Sequence, residues 1–329
     1  MDRRTFIRGT TSIALAAATR RLTAQAAPAA EVQTVRTGVL EIGYYDVGSR
    51  SGFPVILLHG FPDDAHAYDD VAPQLAQAGF RAIAVFLRGF GVTRFLDAGA
   101  PRTAEQAAIG QDVLDFADAL QLPRFAVCGY DWGGRAAAVA AVLQPARVRA
   151  AALIGGYSIQ NTVTRAASPT PEAARRLWYQ WYLNTPAGRD GLAQDRRSFC
   201  RLLWREWSPT WPFSDDMFNR TAVSFDNPDF VDCVVHSYRH RNFNAAGERR
   251  FEDVERMLAT RPPLRVPTML LHGGDDALGR VQPEVTAAER ATLPGLVGKR
   301  IVAGAGHFVP HEKPAVVASA LLDLLAASS

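Results

Sequence analysis

Short apolar runs alternate with helical patterns along most of this chain. Val55-Ile56-Leu57-Leu58 reads as a strand ending at His59-Gly60. Ala65 to Ala78 has helical periodicity and stops at Gly79, a residue suited to a helix C-terminus. Arg81 to Phe86 predicts the next strand, and Thr103 to Leu120 an amphipathic helix. Phe125 to Cys128 reads as a strand, Trp132 to Leu143 as a helix made mostly of alanine, and Val148 to Ile154 as another strand. Such alternation predicts a parallel sheet with helices on both faces. Residues 32–47 add two strands at the front edge as a hairpin.

The alternation then stops. Residues 156–263 are rich in arginine and helix-like runs, and they hold Trp178, Trp181, Trp204, Trp207 and Trp211, five of the six tryptophans. The strand pattern resumes with Thr268 to Leu271, followed by a helix near Val281 to Thr292, a strand from Lys299 to Val302, and a last helix from Pro314 to Ala327. We read the excursion as a helical lid over a pocket. The core is then split into residues 27–155 and 264–329.

Composition excludes several classes. The chain has 329 residues, 48% apolar and 21% charged, ordinary for a globular enzyme. No internal repeat is evident. The first 26 residues stand apart. Asp2-Arg3-Arg4-Thr5-Phe6-Ile7-Arg8 resembles a twin-arginine export signal, the apolar run after it is too short to span a membrane, and Ala24-Gln25-Ala26 has small residues at cleavage spacing. The mature chain is expected to start near Ala27, in the periplasm or outside the cell. Removing residues 1–26 takes Lys+Arg from 36 to 31 and Asp+Glu from 33 to 32, so the net charge moves from +3 to −1. The basic balance belongs to the signal, which leaves no case for nucleic acid. No other segment is long and apolar enough for a membrane span. Three cysteines, Cys128, Cys200 and Cys233, make no disulfide framework, and no Cys/His cluster has metal spacing; neither a metal nor a cofactor is expected.

Gly129-Tyr130-Asp131-Trp132-Gly133-Gly134 lies between a strand and a helix. Alone it could be a helix-capping aspartate after a glycine turn. Three other pieces change that. His59-Gly60-Phe61-Pro62 follows the third strand, Gly273-Gly274-Asp275-Asp276 the seventh, and Gly304-Ala305-Gly306-His307-Phe308 the eighth. Together they resemble the nucleophile elbow, oxyanion loop, acid and histidine of the α/β-hydrolase fold, in that fold's chain order, with aspartate where most members have serine. The resemblance covers the chain from about residue 32 onwards. It implies an α/β architecture with a mostly parallel eight-stranded sheet and the lid inserted after strand 6. It also implies Asp131 as nucleophile, His307 as base, Asp276 in preference to Asp275 as the acid, and the backbone N–H groups of Phe61 and Trp132 as oxyanion donors.

An aspartate nucleophile narrows the chemistry. A carboxylate with an ordinary pKa of about 4 is charged at neutral pH and needs no base for attack. Attack on a saturated carbon with a leaving group gives an ester, which water then hydrolyses. Two families use this arrangement: epoxide hydrolases and haloalkane or haloacid dehalogenases. Tyr179-Gln180-Trp181-Tyr182-Leu183 and Ser237-Tyr238-Arg239 resemble the two tyrosine motifs of soluble epoxide hydrolases, which implies that Tyr179 and Tyr238 grip an epoxide oxygen. Taken singly, either tyrosine could be lid packing. Dehalogenase chemistry on the same triad is the alternative, and a non-catalytic ligand binder a further one. His59, Trp132, Trp178 and Trp181 are candidate pocket residues, for a small apolar or aromatic substrate with water as co-substrate.

There are departures from the family pattern. The stretch after the fourth strand, usually Asp-x-x-Gly, is Phe86-Leu87-Arg88-Gly89. Fluoroacetate-type dehalogenases have two arginines after the nucleophile; here the positions hold Trp132 and Arg135, and Arg135 is expected to cap the core helix or pair with a neighbour. His66, His236, His240 and His311 look like surface or lid residues, and His272 like a satisfied core histidine.

Overall fold

Apolar runs buried on both faces make the centre of the sheet, as parallel strands require. The computed structural model describes residues 31–164, 168–279 and 281–328. The expected export signal, residues 1–26, lies outside them. Nine strands occur among the described residues: β1 (Gln33–Arg36), β2 (Leu40–Val47), β3 (Pro54–Leu58), β4 (Arg81–Val85), β5 (Arg94–Phe95), β6 (Phe125–Tyr130), β7 (Val148–Ile154), β8 (Thr268–Gly273) and β9 (Leu296–Val302). Eight form one path, β1-β2-β4-β3-β6-β7-β8-β9, parallel from β4 to β9 and antiparallel at the β1–β2 hairpin and between β2 and β4. The ninth, β5, is two residues long and pairs with Leu40 and Glu41 of β2. It has no apolar run to announce it.

The core helices are α1 (Ala72–Gln77), α2 (Gln106–Ala119) and α3 (Asp131–Leu143). Seven more follow β7: α4 (Pro171–Arg176), α5 (Trp178–Leu183), α6 (Pro186–Gln194), α7 (Arg196–Trp207), α8 (Asp215–Ala222), α9 (Phe230–Arg241) and α10 (Glu252–Ala259). Then come α11 (Ala287–Thr292), α12 (Val309–Glu312) and α13 (Pro314–Ala327). α2 packs on α3, and α1 packs on α13. The single helix expected over Ala65 to Ala78 is instead a 3-10 turn, Ala65–Tyr68, followed by α1. Asp64 caps the first turn by accepting the His66 N–H at 2.9 Å, and Pro73, which has no N–H to give, restarts the helix within the first turn of α1. The helix expected from Val281 begins only at Ala287, where a Thr286/Glu289 capping box sets its start.

The segment from α4 to α10 is folded over the loops at the carboxyl ends of the strands, the crevice where open α/β sheets bind ligands. The Trp204 indole donates to the Pro62 carbonyl at 2.6 Å, and Tyr238 lies 5.8 Å from Trp132, ring centre to ring centre. Cys128, Cys200 and Cys233 are all buried and unpaired, and burial pushes each thiol's pKa up. No helix among the described residues is long and apolar enough to cross a membrane.

Candidate active site

The chain turns from β6 into α3 through a residue in left-handed backbone. Asp131 has φ +49°, a conformation few non-glycine residues adopt. A side chain at Gly129 would strike the Gly133 backbone, and one at Gly133 would strike the Leu58 carbonyl. The turn therefore needs glycine at both positions, and it presents Asp131 at the first turn of α3, where N–H groups lack helical partners. Phe61 N–H donates to Asp131 Oδ1 at 2.9 Å, and Trp132 contributes the next N–H of the same turn. His59 holds this loop and does not wall the pocket. It is fully buried, with Nδ1 on the Gly60 carbonyl at 2.8 Å and Nε2 accepting the Leu87 N–H at 3.0 Å. Burial lowers its pKa to about 4, so it stays neutral.

His307 stands across from Asp131. Its Nε2 lies 4.0 Å from Asp131 Oδ2, and its Nδ1 lies 3.0 Å from Asp276 Oδ2. Asp276 Oδ1 accepts the Leu278 N–H at 2.8 Å. Asp275 turns away to Thr210. Burial alone would lower the His307 pKa, but Asp276, with Asp131 and Glu312 behind it, outweighs burial and holds the pKa above the ordinary value. A residue that sequence reasoning missed fixes the histidine loop. Ser208 Oγ accepts the His307 N–H at 2.7 Å and donates to Glu312 Oε1 at 2.7 Å.

Above Asp131 lies an aromatic ceiling. Tyr179 and Tyr238 meet edge to face at 5.3 Å, both buried. Trp132 lies below Tyr238, and Trp207 lies 4.8 Å from Tyr179 and 5.0 Å from His307. Burial first, then the Asp131 charge, raises the Tyr179 pKa to about 12; burial, then Tyr179 and Asp131, raises that of Tyr238 well above its ordinary value. Both stay protonated donors. Tyr179 Oη accepts from Gln180 at 3.1 Å, whereas Tyr238 Oη and the indole N–H groups of Trp132 and Trp207 are buried without a hydrogen-bond partner among the described residues.

Trp178 and Trp181 do not join this group. On α5, Tyr179 and Leu183 sit four residues apart and face inward, so Trp178 and Trp181 face out. Trp178 donates to Glu206 at 2.8 Å, and Trp181, 36% exposed, lines a cavity of about 820 Å³ on the outer side of α5 together with Gln180. On α7 the inward stripe is Cys200, Leu203, Trp204 and Trp207, a spacing that would have identified Trp207.

Four other expectations meet the structure here. Arg88 is buried in a two-pronged pair with Asp112, at 2.6 and 2.7 Å, so the departure after β4 is a structural exchange. Arg135 Nε donates to the Ser158 carbonyl at 2.9 Å, the neighbour pairing expected of it. His311 is no surface residue. Its side chain is 4% exposed and pairs at 3.0 Å with Asp63, which also accepts from Tyr130. His272 is buried, and its pKa is lowered to about 4 by burial and then by Lys299, but its Nε2 has no hydrogen-bond partner among the described residues.

The α/β hydrolase fold family model matches residues 54–314. A protein named epoxide hydrolase in Caballeronia sordidicola is 26% identical over 84% of this chain and 88% of its own length. A Burkholderia protein named fluoroacetate dehalogenase is 32% identical over 43% of this chain and 44% of its own. A solved Klebsiella pneumoniae structure, named as a candidate epoxide hydrolase, is 39% identical with a TM-score of 0.86, covering 89% of this chain and 97% of that one.

Proposed function

As a member of the α/β-hydrolase fold family, similar over most of its length to proteins that carry the epoxide hydrolase name, this chain is one that we propose opens an epoxide through an aspartyl ester and releases a vicinal diol. The observation that carries the reading is the buried Tyr179–Tyr238 pair beside a carboxylate that faces His307. An epoxide oxygen leaves as an alkoxide and needs a donor; two phenols supply it.

Asp131 Oδ1 is engaged by Phe61 N–H, so Oδ2 is the attacking oxygen. A C–O bond forms from Oδ2 to one epoxide carbon as that carbon's bond to the ring oxygen breaks. The ring oxygen takes a proton from a tyrosine. His307 then removes a proton from water, whose oxygen attacks the Asp131 carboxyl carbon. The resulting oxyanion sits on Oδ1, where Phe61 and Trp132 N–H groups stabilise it; losing one such donor costs roughly 10²–10³ in rate. The ester C–O bond breaks, the departing alkoxide takes the proton from His307 and leaves as the diol, and the proton left on the Asp131 carboxyl returns through water to the tyrosinate, restoring both groups. Asp276 orients His307 and supports its charge.

A halide leaving group is the second reading. The unpartnered indole N–H groups of Trp132 and Trp207 favour it, since a departing halide wants donors and no acid. The test is parallel turnover of the purified enzyme on matched epoxides and alkyl halides, with acid-quenched mass spectrometry for the ester. Diol formation with an Asp131 adduct supports epoxide opening; halide release alone overturns it. We also propose export through the twin-arginine pattern at residues 1–26, supported by the paired Arg3-Arg4 and the Ala24-Gln25-Ala26 site.

A further inference from the structure

Helix α7, part of the α4–α10 segment folded over the strand ends, stops against the two loops that carry Asp276 and His307. Trp207 is its last residue and Ser208 follows; both are buried. The Trp207 carbonyl accepts the N–H of Ala277, the residue after Asp276, at 3.3 Å. Thr210 donates to Asp275 at 3.2 Å. The Trp207 ring meets the His307 ring edge to face at 5.0 Å.

Ser208 makes the most intimate of these contacts. The buried loop around His307 has three successive backbone N–H groups that need acceptors. Glu312 Oε2 takes that of Gly306 at 2.8 Å, and Ser208 Oγ takes that of His307 at 2.7 Å. The N–H of Phe308 is shared between Glu312 Oε1 at 3.1 Å and Ser208 Oγ at 3.3 Å. The Ser208 hydroxyl proton goes to Glu312 Oε1 at 2.7 Å. Glu312 belongs to the loop's own end of the chain, on α12, whereas Ser208 comes from 99 residues away. A side-chain carbon at Gly306 would strike Ser208, so the loop is shaped to receive this residue. The His307 ring is held at Nδ1 by Asp276 and makes no hydrogen bond at Nε2 among the described residues. Its aim therefore depends on the backbone behind it.

We propose that Ser208 is a positioning residue for the base: it ties His307 to the α4–α10 segment, so that activation of water, and not alkylation, depends on the seating of that segment. The inference rests on the aspartyl-ester reading and holds for an epoxide or a halide alike. Alkylation calls on Asp131 and the tyrosine pair, and Ser208 has no hydrogen bond to any of them among the described residues. Ester hydrolysis calls on His307, whose N–H loses its acceptor when the hydroxyl goes.

The experiment compares wild type with Ser208→Ala and Ser208→Cys. Cysteine fills nearly the same space but is a weak donor and acceptor, so it separates the hydrogen bonds from the packing. Rapid-quench mass spectrometry follows ester formation and decay on matched epoxides and alkyl halides. In both variants alkylation should stay within about twofold of wild type, while ester decay slows roughly tenfold to a hundredfold, the scale of a small misplacement of a catalytic group. NMR titration of His307 without substrate gives a reading apart from turnover. Burial lowers the His307 pKa and Asp276 outweighs it, so a ring loosened from Asp276 should titrate lower in both variants. Unchanged ester decay in Ser208→Ala, alkylation and decay slowed alike, decay restored in Ser208→Cys, or an unmoved His307 titration would each overturn the positioning role and leave the ester mechanism standing. If no ester forms at any time in wild type or variants, the ester reading falls and the titration decides: a lowered His307 pKa in both variants supports the role of Ser208, and an unchanged one overturns it.

Discussion

His307 meets Asp131 and Asp276 unequally: Nδ1 is 3.0 Å from Asp276, while Nε2 is 4.0 Å from Asp131 and makes no hydrogen bond among the described residues. The ring is anchored on one side and open toward Asp131 on the other. Asp131 is among the charges that raise the His307 pKa. In the proposed mechanism esterification removes that charge, so His307 would become easier to deprotonate at the step that calls for a base.

His307→Gln should therefore trap the ester. Asp131 is still alkylated, but water is not activated, and intact-protein mass spectrometry should find an adduct of substrate mass on the peptide holding Asp131. Absence of an adduct with every substrate that wild type turns over would favour direct attack by water.

The same relationship sets a pH dependence. The proposed hydrolytic step requires neutral His307, and the free enzyme holds its pKa above the ordinary value. Ester hydrolysis should slow as pH falls through the His307 pKa, while alkylation does not. Because the ester lacks the Asp131 charge, the acid limb of hydrolysis should lie below the His307 pKa measured by NMR in the free enzyme. An acid limb at or above that value would remove Asp131 from the coupling.

Asp131→Ala should fold and lose turnover, since Asp131 is the one carboxylate in the Gly129–Gly134 turn. Far-UV circular dichroism and diol assays check both halves; appreciable activity in the folded variant would eliminate Asp131 as nucleophile.

The tyrosine pair separates the two leaving groups. Tyr179→Phe or Tyr238→Phe removes one hydrogen bond to a developing charge, about 1.5–3 kcal/mol, or roughly tenfold to a hundredfold in alkylation rate. The double variant leaves the alkoxide without an acid and should lose epoxide opening far more severely, while keeping much of any activity on alkyl halides. Full epoxide opening by the double variant would reduce both tyrosines to packing.

Export gives a separate check. The mature N-terminus should fall near Ala27, and Arg3→Lys with Arg4→Lys should block passage. Uncleaved full-length chain in the cytoplasm would count against it.

Much of this was legible in the sequence, for physical reasons. Val148 to Ile154 is a strand with the bounds expected, because apart from Arg149 at its second position it is an unbroken apolar run, as a parallel strand buried on both faces requires. The elbow was legible because the glycines beside Asp131 answer to backbone crowding, a local demand. What the sequence hid depends on orientation and distance. Trp178 and Trp207 look alike as letters, and only helix register turns one outward and the other onto His307. Ser208 lies 99 residues from His307 along the chain, and Asp63 lies 248 from His311, so no local pattern marks either pair.

The three sealed thiols carry a consequence for where the enzyme can work. None of Cys128, Cys200 or Cys233 is accessible, and burial keeps each in the unreactive protonated form. Folding thus asks for no oxidant, and the finished molecule offers no sulfur to one. Its redox surroundings can change completely during its lifetime without rewriting a covalent bond, a tolerance on which the proposed export would call.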